Sequence, residues 1–171
     1  GGNVFDTAYI YNNGKSDYYL GSWIESRGLR EKVVVLGKGA HTPDCQPEKI
    51  RPQLEETLSR MSSSYLDIYC LHRDNETLPV ESFIDELNIL KDEGLINVFG
   101  ASNWSLARFQ KANEYALSKG LEPFTLLSNN FSLAHMNNPV WPGCFSCSED
   151  EYLNYLKENQ IAIFPWSSQA R

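Results

Sequence analysis

Val33-Val34-Val35-Leu36-Gly37-Lys38 and Leu66-Asp67-Ile68-Tyr69-Cys70-Leu71-His72, with Leu54, Thr57, Leu58 and Met61 between them, decide the fold. The two outer runs are short, apolar and nearly continuous, as strands of a parallel sheet buried on both faces are. The four residues between them fall at i, i+3, i+4 and i+7, which is one stripe of a helix. Strand, helix, strand in that order is a βαβ crossover.

The same alternation extends in both directions. Further strand-like runs lie at Asn3–Ala8, Ile96–Ala101, Phe124–Ser128 and Ile161–Trp166. Helical stripes appear at Val80, Phe83, Ile84, Leu87 and Leu90, and at Leu106, Phe109 and Ala116. Ser105 is placed to cap the second of these and Gly120 to stop it. Ser16 is predicted to cap the first helix, which ends near Gly28, and Glu149–Asn159 supplies the last one. Pro52 belongs in a first turn or at a kink. Six strands recurring about every 30 residues, each followed by a helix, predict an α/β protein with a parallel sheet.

A doubly wound open sheet and a (β/α)8 TIM barrel both satisfy that pattern. A dinucleotide-binding open sheet carries G-x-G-x-x-G after a strand, and this sequence has none. Polar residues instead close every strand: Asp6, Lys38, His72, Ser102 with Asn103, Ser128, and Ser167 after Trp166. A barrel gathers all its strand ends at one mouth, so the barrel is the better reading. Six units do not close a barrel of eight. The chain is therefore read as one domain over residues 1–171, an incomplete barrel and an internal piece of a longer protein that is inactive on its own.

Composition sets outer limits. The 171 residues are 42% hydrophobic and 12% aromatic with a net charge of −7, which suits a soluble globular domain and excludes a disordered chain. An acidic balance argues against nucleic acid as a partner, since binding there needs a basic face. No apolar run approaches the roughly 18 residues of a membrane span, and a cytoplasmic location is expected. Of the four cysteines, Cys144 and Cys147 have the spacing of half a zinc site. They follow Pro139, Pro142 and Gly143, however, and read as loop cysteines with no metal.

Asp6, Tyr11, Lys38 and His72 cluster at or just beyond the ends of the first three strands. Neighbouring strands lie about 4.8 Å apart, so the four side chains can meet at one point. An ammonium beside a phenol favours the phenolate, and a carboxylate beside the ammonium keeps it charged. With His72 as a second donor, the set suits proton donation to a developing alkoxide, which is general-acid chemistry on a carbonyl. The Tyr11 hydroxyl is expected within hydrogen-bond reach of Lys38 and near His72, with Asp6 contacting Lys38.

Asp6-Thr7-Ala8-Tyr9-Ile10-Tyr11, with Gly14-Lys15-Ser16-Asp17-Tyr18-Tyr19-Leu20-Gly21, resembles the opening signature of the aldo-keto reductases. The resemblance runs on through Leu36-Gly37-Lys38-Gly39, Tyr69-Cys70-Leu71-His72-Arg73-Asp74-Asn75, Phe99-Gly100-Ala101-Ser102-Asn103-Trp104, Asn129-Asn130-Phe131-Ser132 and Phe164-Pro165-Trp166-Ser167. It implies a catalytic tetrad of Asp6, Tyr11, Lys38 and His72, with Tyr11 as proton donor. It also implies that Ser102 and Asn103 hold the carboxamide of a nicotinamide, that Trp166 stacks on its ring, and that Ser167 leads towards the pyrophosphate. Ser128 stands where many members have a glutamine that contacts the carboxamide. Phe131 replaces a usual tyrosine, and Asn12-Asn13-Gly14 replaces a glycine directly after the tyrosine. The cofactor implied is NADP (NADPH) and the partner a small carbonyl compound. The alternative is a nucleotide-binding regulatory subunit on the same fold. A metal hydrolase on this barrel is disfavoured, because only His72 and Asp6 could serve as strand-end ligands.

Overall fold

The computed structural model describes residues 2–167 and 169. It contains six strands, β1 (Val4–Asp6), β2 (Val34–Gly39), β3 (Leu66–Leu71), β4 (Ile96–Ala101), β5 (Leu126–Leu127) and β6 (Ala162–Ile163). Five helices cross between or follow them: α1 (Lys15–Ser26), α2 (Pro47–Met61), α3 (Val80–Asp92), α4 (Leu106–Lys119) and α5 (Asp150–Glu158). All strand pairs are parallel, and their order is β1-β2-β3-β4-β5-β6. A doubly wound sheet reverses its order at a switch point, whereas this one never reverses, so the chain winds in one direction as a barrel does. The sheet is a curled half-barrel with the helices on its outside.

Every apolar stripe read from the sequence is buried. Leu54, Leu58 and Met61 of α2, the α3 stripe from Val80 to Leu90, and Phe109 with Ala116 of α4 join the main core between helices and sheet. A second, smaller cluster of Leu36, Ile68, Cys70 and Leu126 lies on the sheet's other face, the barrel interior. Because strand side chains alternate, Lys38 shares that inner face with Leu36, and His72 shares it with Cys70 and Ile68. Val4 pairs with Val34 and Asp6 with Leu36, which puts Asp6 on the same side. The register thus aims the three polar residues at one place.

The helix ends differ from expectation in one case. Ser105 caps α4 by accepting the Arg108 N–H, and Gly120 stops it in the left-handed region at φ 68°. At α1 the cap is Gly14, at φ 81°, and Ser16 lies inside the helix. The segment before it, Tyr11–Gly14, is a tight turn with Asn12 and Asn13 also left-handed at φ 49° and 53°. Asparagine tolerates that region better than most side chains, and the turn consumes the residues that would otherwise extend the helix. Pro52 sits within α2, one turn after Pro47 opens it, so only the Glu48 carbonyl forgoes its usual i+4 donor.

β1, β5 and β6 are shorter than the apolar runs suggest. At the start of β5 the reason is visible in two of three buried asparagines that pair with backbone, Asn113 and Asn88. Asn113 of α4 donates Nδ2 to the Phe124 carbonyl at 3.1 Å and accepts the Phe124 N–H at 2.9 Å. Asn88 of α3 makes the same two-way pair with Glu122, at 3.1 and 2.9 Å. Beyond the other end of β5, Asn129 does the same for Trp104, which follows β4, at 2.9 and 3.3 Å. Each side-chain amide stands in for a neighbouring strand, so the backbone is satisfied without being ladder-paired.

Candidate active site

The site stands at the C-terminal ends of the strands. A cavity of about 240 Å³ is lined by Asp6, Tyr11, Lys38, His72, Ser102, Asn103, Ser128, Trp166 and Ser167, every position singled out in the sequence. Arg73, Trp141 and Cys144 complete its wall.

Lys38 is 4% exposed and donates to Asp6, whose carboxylate is half-exposed at the end of β1. Its ammonium lies 5.2 Å from the centre of the Tyr11 ring. The expected hydroxyl-to-ammonium hydrogen bond is not formed: the ammonium faces the ring, and its bond goes to Asp6. The Tyr11 hydroxyl makes no hydrogen bond among the described residues and, at 38% exposure, stands open at the mouth. His72 packs edge-on against Tyr11 with ring centres 5.6 Å apart. Burial, then the nearby Lys38, His41 and Arg73 charges, pulls the His72 imidazole down to about 2, so it is neutral. Its Nδ1 is buried and unpartnered among the described residues.

The loop bearing Tyr11 is stitched to α2. Arg60 donates to the Tyr9 carbonyl at 2.9 Å, and its guanidinium fills the space beside Gly14 where any Cβ would collide with it. Fully buried Asp17 accepts from Thr7 at 2.6 Å, Thr57 at 3.1 Å and Arg60 at 3.4 Å. Burial raises the Asp17 carboxyl, and those three donors oppose the rise. The glycine at position 14 therefore serves both the left-handed turn and the close approach of Arg60.

On the far wall, Ser102 Oγ donates to the Ser128 carbonyl at 2.7 Å and accepts from Asn103 Nδ2 at 2.9 Å. Asn103 is left-handed at φ 59°, and its Oδ1 is buried without a partner among the described residues. Trp166 lies 5.9 Å from Trp141, ring centre to ring centre, with its Nε1 likewise buried and unpartnered. Asn130 holds the Trp166 carbonyl at 3.3 Å. Ser128 is present through its backbone, and Phe131 packs into the core. Asn103 Oδ1 is thus a buried acceptor and Trp166 Nε1 a buried donor, each without a protein partner among the described residues.

Sequence reading missed four residues. His41 stacks edge-on to His72 at 4.7 Å, and Arg73, Trp141 and Cys144 enter the cavity wall. Arg73 carried a signal, a cation directly after a strand-end histidine; Trp141 and Cys144 come from a distant loop and carried none. Cys144 accepts from Arg73 Nη1 at 3.0 Å, and Cys147 donates to the Asn130 carbonyl at 3.4 Å, its thiol pushed up by burial to about 11. Among the described residues all four cysteines are unbridged, no group of three or more metal-ligating side chains is assembled, and no helix is long and apolar enough to cross a membrane.

Fold and site together define a barrel-type protein with titratable and hydrogen-bonding residues gathered in one cavity at its strand ends. The sequence pattern of the aldo/keto reductase family matches residues 1–170, and the chain belongs to that family. It is 27% identical to an aryl-alcohol dehydrogenase [NADP(+)] of Phanerodontia chrysosporium, covering 98% of this chain and 45% of that protein. It is 28% identical to a norsolorinic acid reductase of Emericella nidulans, covering 100% and 45%. An aldo-keto reductase from Klebsiella pneumoniae in complex with NADPH superposes with a TM-score of 0.77 at 23% identity, over 96% of this chain and 52% of that one. The chain spans about half the length of these relatives.

Proposed function

We propose that the full-length protein is an NADPH-dependent carbonyl reductase in which Tyr11 protonates the carbonyl oxygen of a small aldehyde or ketone. The observation that carries this reading is the convergence of Tyr11, Lys38 and His72 on one cavity whose opposite wall is Ser102 and Asn103. The unpartnered Asn103 Oδ1 fits the N–H of a nicotinamide carboxamide, and Trp166, in the wall of the same cavity, offers an aromatic ring for the nicotinamide to stack on. When bound, the nicotinamide supplies the hydride that adds to the carbonyl carbon.

The chain's own residues do the rest. Tyr11 has its hydroxyl free to donate, and as that proton leaves, the Lys38 ammonium stabilises the charge left on the phenol ring. Asp6 keeps Lys38 charged and fixes its position. A neutral His72 donates an N–H to the same carbonyl oxygen without offering a competing acidic proton. NADP-linked relatives support the choice of nucleotide.

The test is Tyr11→Phe in the full-length protein, assayed with NADPH and an aromatic aldehyde. Turnover is expected to fall about 10²–10⁴-fold with NADPH affinity held, because the lost group acts only in the transition state. Unchanged turnover would place the acid elsewhere.

A further inference from the structure

The site cavity does not end at Tyr11. Tyr11, His72, Arg73 and Trp141 also border a second cavity of about 700 Å³, so the two adjoin through shared walls. Ile10, Trp141 and Pro142 give this outer space an apolar lining. Its one permanent cation is Arg73, half-buried and next in sequence to His72.

Arg73 has no counter-ion among the described residues: no carboxylate lies within ion-pair distance of it, and one of its N–H groups goes to the weak acceptor Cys144 Sγ at 3.0 Å. The adjacent acid, Asp74, is claimed by Arg108 through two bonds of 2.9 and 2.8 Å. Within the site, the charge of Lys38 is balanced by Asp6. Arg73 thus leaves a net positive charge in the cavity of a chain whose total is −7. A guanidinium is a planar fork matched to a carboxylate, and in a partly desolvated wall the pairing gains strength.

From this geometry we infer that the substrates are apolar, chiefly aromatic, aldehydes or ketones bearing a carboxylate, with Arg73 as the residue that selects the acid. The carbonyl oxygen sits at Tyr11 and His72, the apolar body rests against Trp141 and Ile10, and the carboxylate takes the free N–H groups of Arg73. This rests on the carbonyl-reductase reading, and the experiment separates the two.

The full-length protein is assayed with NADPH on 4-carboxybenzaldehyde and on its methyl ester, which has the same reacting carbonyl and no charge. The acid is expected to exceed the ester in kcat/KM by about tenfold or more, through KM, as one charge-assisted pair provides. In Arg73→Met that preference falls to near unity, and Arg73→Lys restores part of it. Calorimetry adds a readout without turnover: benzoate is expected to bind more tightly than benzamide, and in Arg73→Met the two bind alike. Equal use of acid and ester by the native protein overturns the inference, whether or not the variants fold. So does an Arg73→Met protein that keeps its preference and loses NADPH affinity, which assigns the arginine to the nucleotide. Turnover of neither aldehyde sinks the reductase reading, and the benzoate comparison then decides the anion site alone.

Discussion

His72 shows how much one buried side chain sets. The imidazole is 7% exposed, and burial with three neighbouring positive or basic groups holds it neutral down to about pH 2. An unfolded histidine takes up its proton near pH 6.5. Below that pH the unfolded chain binds a proton that the folded chain refuses, so the His72 contribution to stability is full above 6.5 and is lost as pH falls towards 2. Between pH 7.5 and 5 the native protein should lose roughly 2 kcal/mol more stability than His72→Gln, which has no such proton to bind. Urea midpoints of the two proteins at both pH values measure the difference. Asp17, raised by burial, acts in the opposite direction but is common to both. Parallel pH profiles would mean that His72 is solvated in the folded state.

The asparagine pairs govern the elements. β5 has two residues, and the chain leading into it is held by Asn88 and Asn113 from the helices outside. Asn113→Asp keeps shape and volume but removes the donor and buries a charge facing the Phe124 carbonyl. It should cost about 3 kcal/mol or more, combining a lost bond with an unsatisfied buried group. An unchanged denaturation midpoint in the full-length protein would show that water serves that carbonyl equally well. These pairs also explain where the sequence stopped being legible. The stripe from Val80 to Leu90 and the runs at Leu66–Leu71 and Ile96–Ala101 could be placed because periodicity is local. Phe124–Ser128 reads as one more strand from end to end, since nothing in its composition says that the Phe124 backbone at its start is bonded to Asn113 of a helix. The site divides in the same way. Asp6, Lys38 and His72 are legible because strand parity and register aim them, while Trp141 arrives on a loop whose course no periodicity encodes. Tyr11 is legible as a phenol beside the strand ends, whereas the turn of its ring towards Lys38 is a packing outcome that no periodicity encodes.

At the scale of the molecule, β1 and β6 are the outer strands of the described sheet. Among the described residues β1 pairs only with β2, and β6 only with β5. Val4 of β1 is 48% exposed, and an unpaired parallel edge is a template for another chain. A polypeptide of residues 1–171 should therefore self-associate at micromolar concentrations, the range in which unpaired edges become a hazard. Sedimentation velocity across a dilution series tests this, and a monodisperse monomer throughout would show that the edges are protected. The same strand order has a consequence for how the protein is made. Each strand's partner is the one synthesised immediately before it, about 30 residues earlier, the span of one βα unit. At about 5–20 residues per second a ribosome releases such a unit every few seconds. Helices form in about a microsecond, so each new strand leaves the exit tunnel to find its neighbour already waiting, and the sheet can be laid down in the order it is translated.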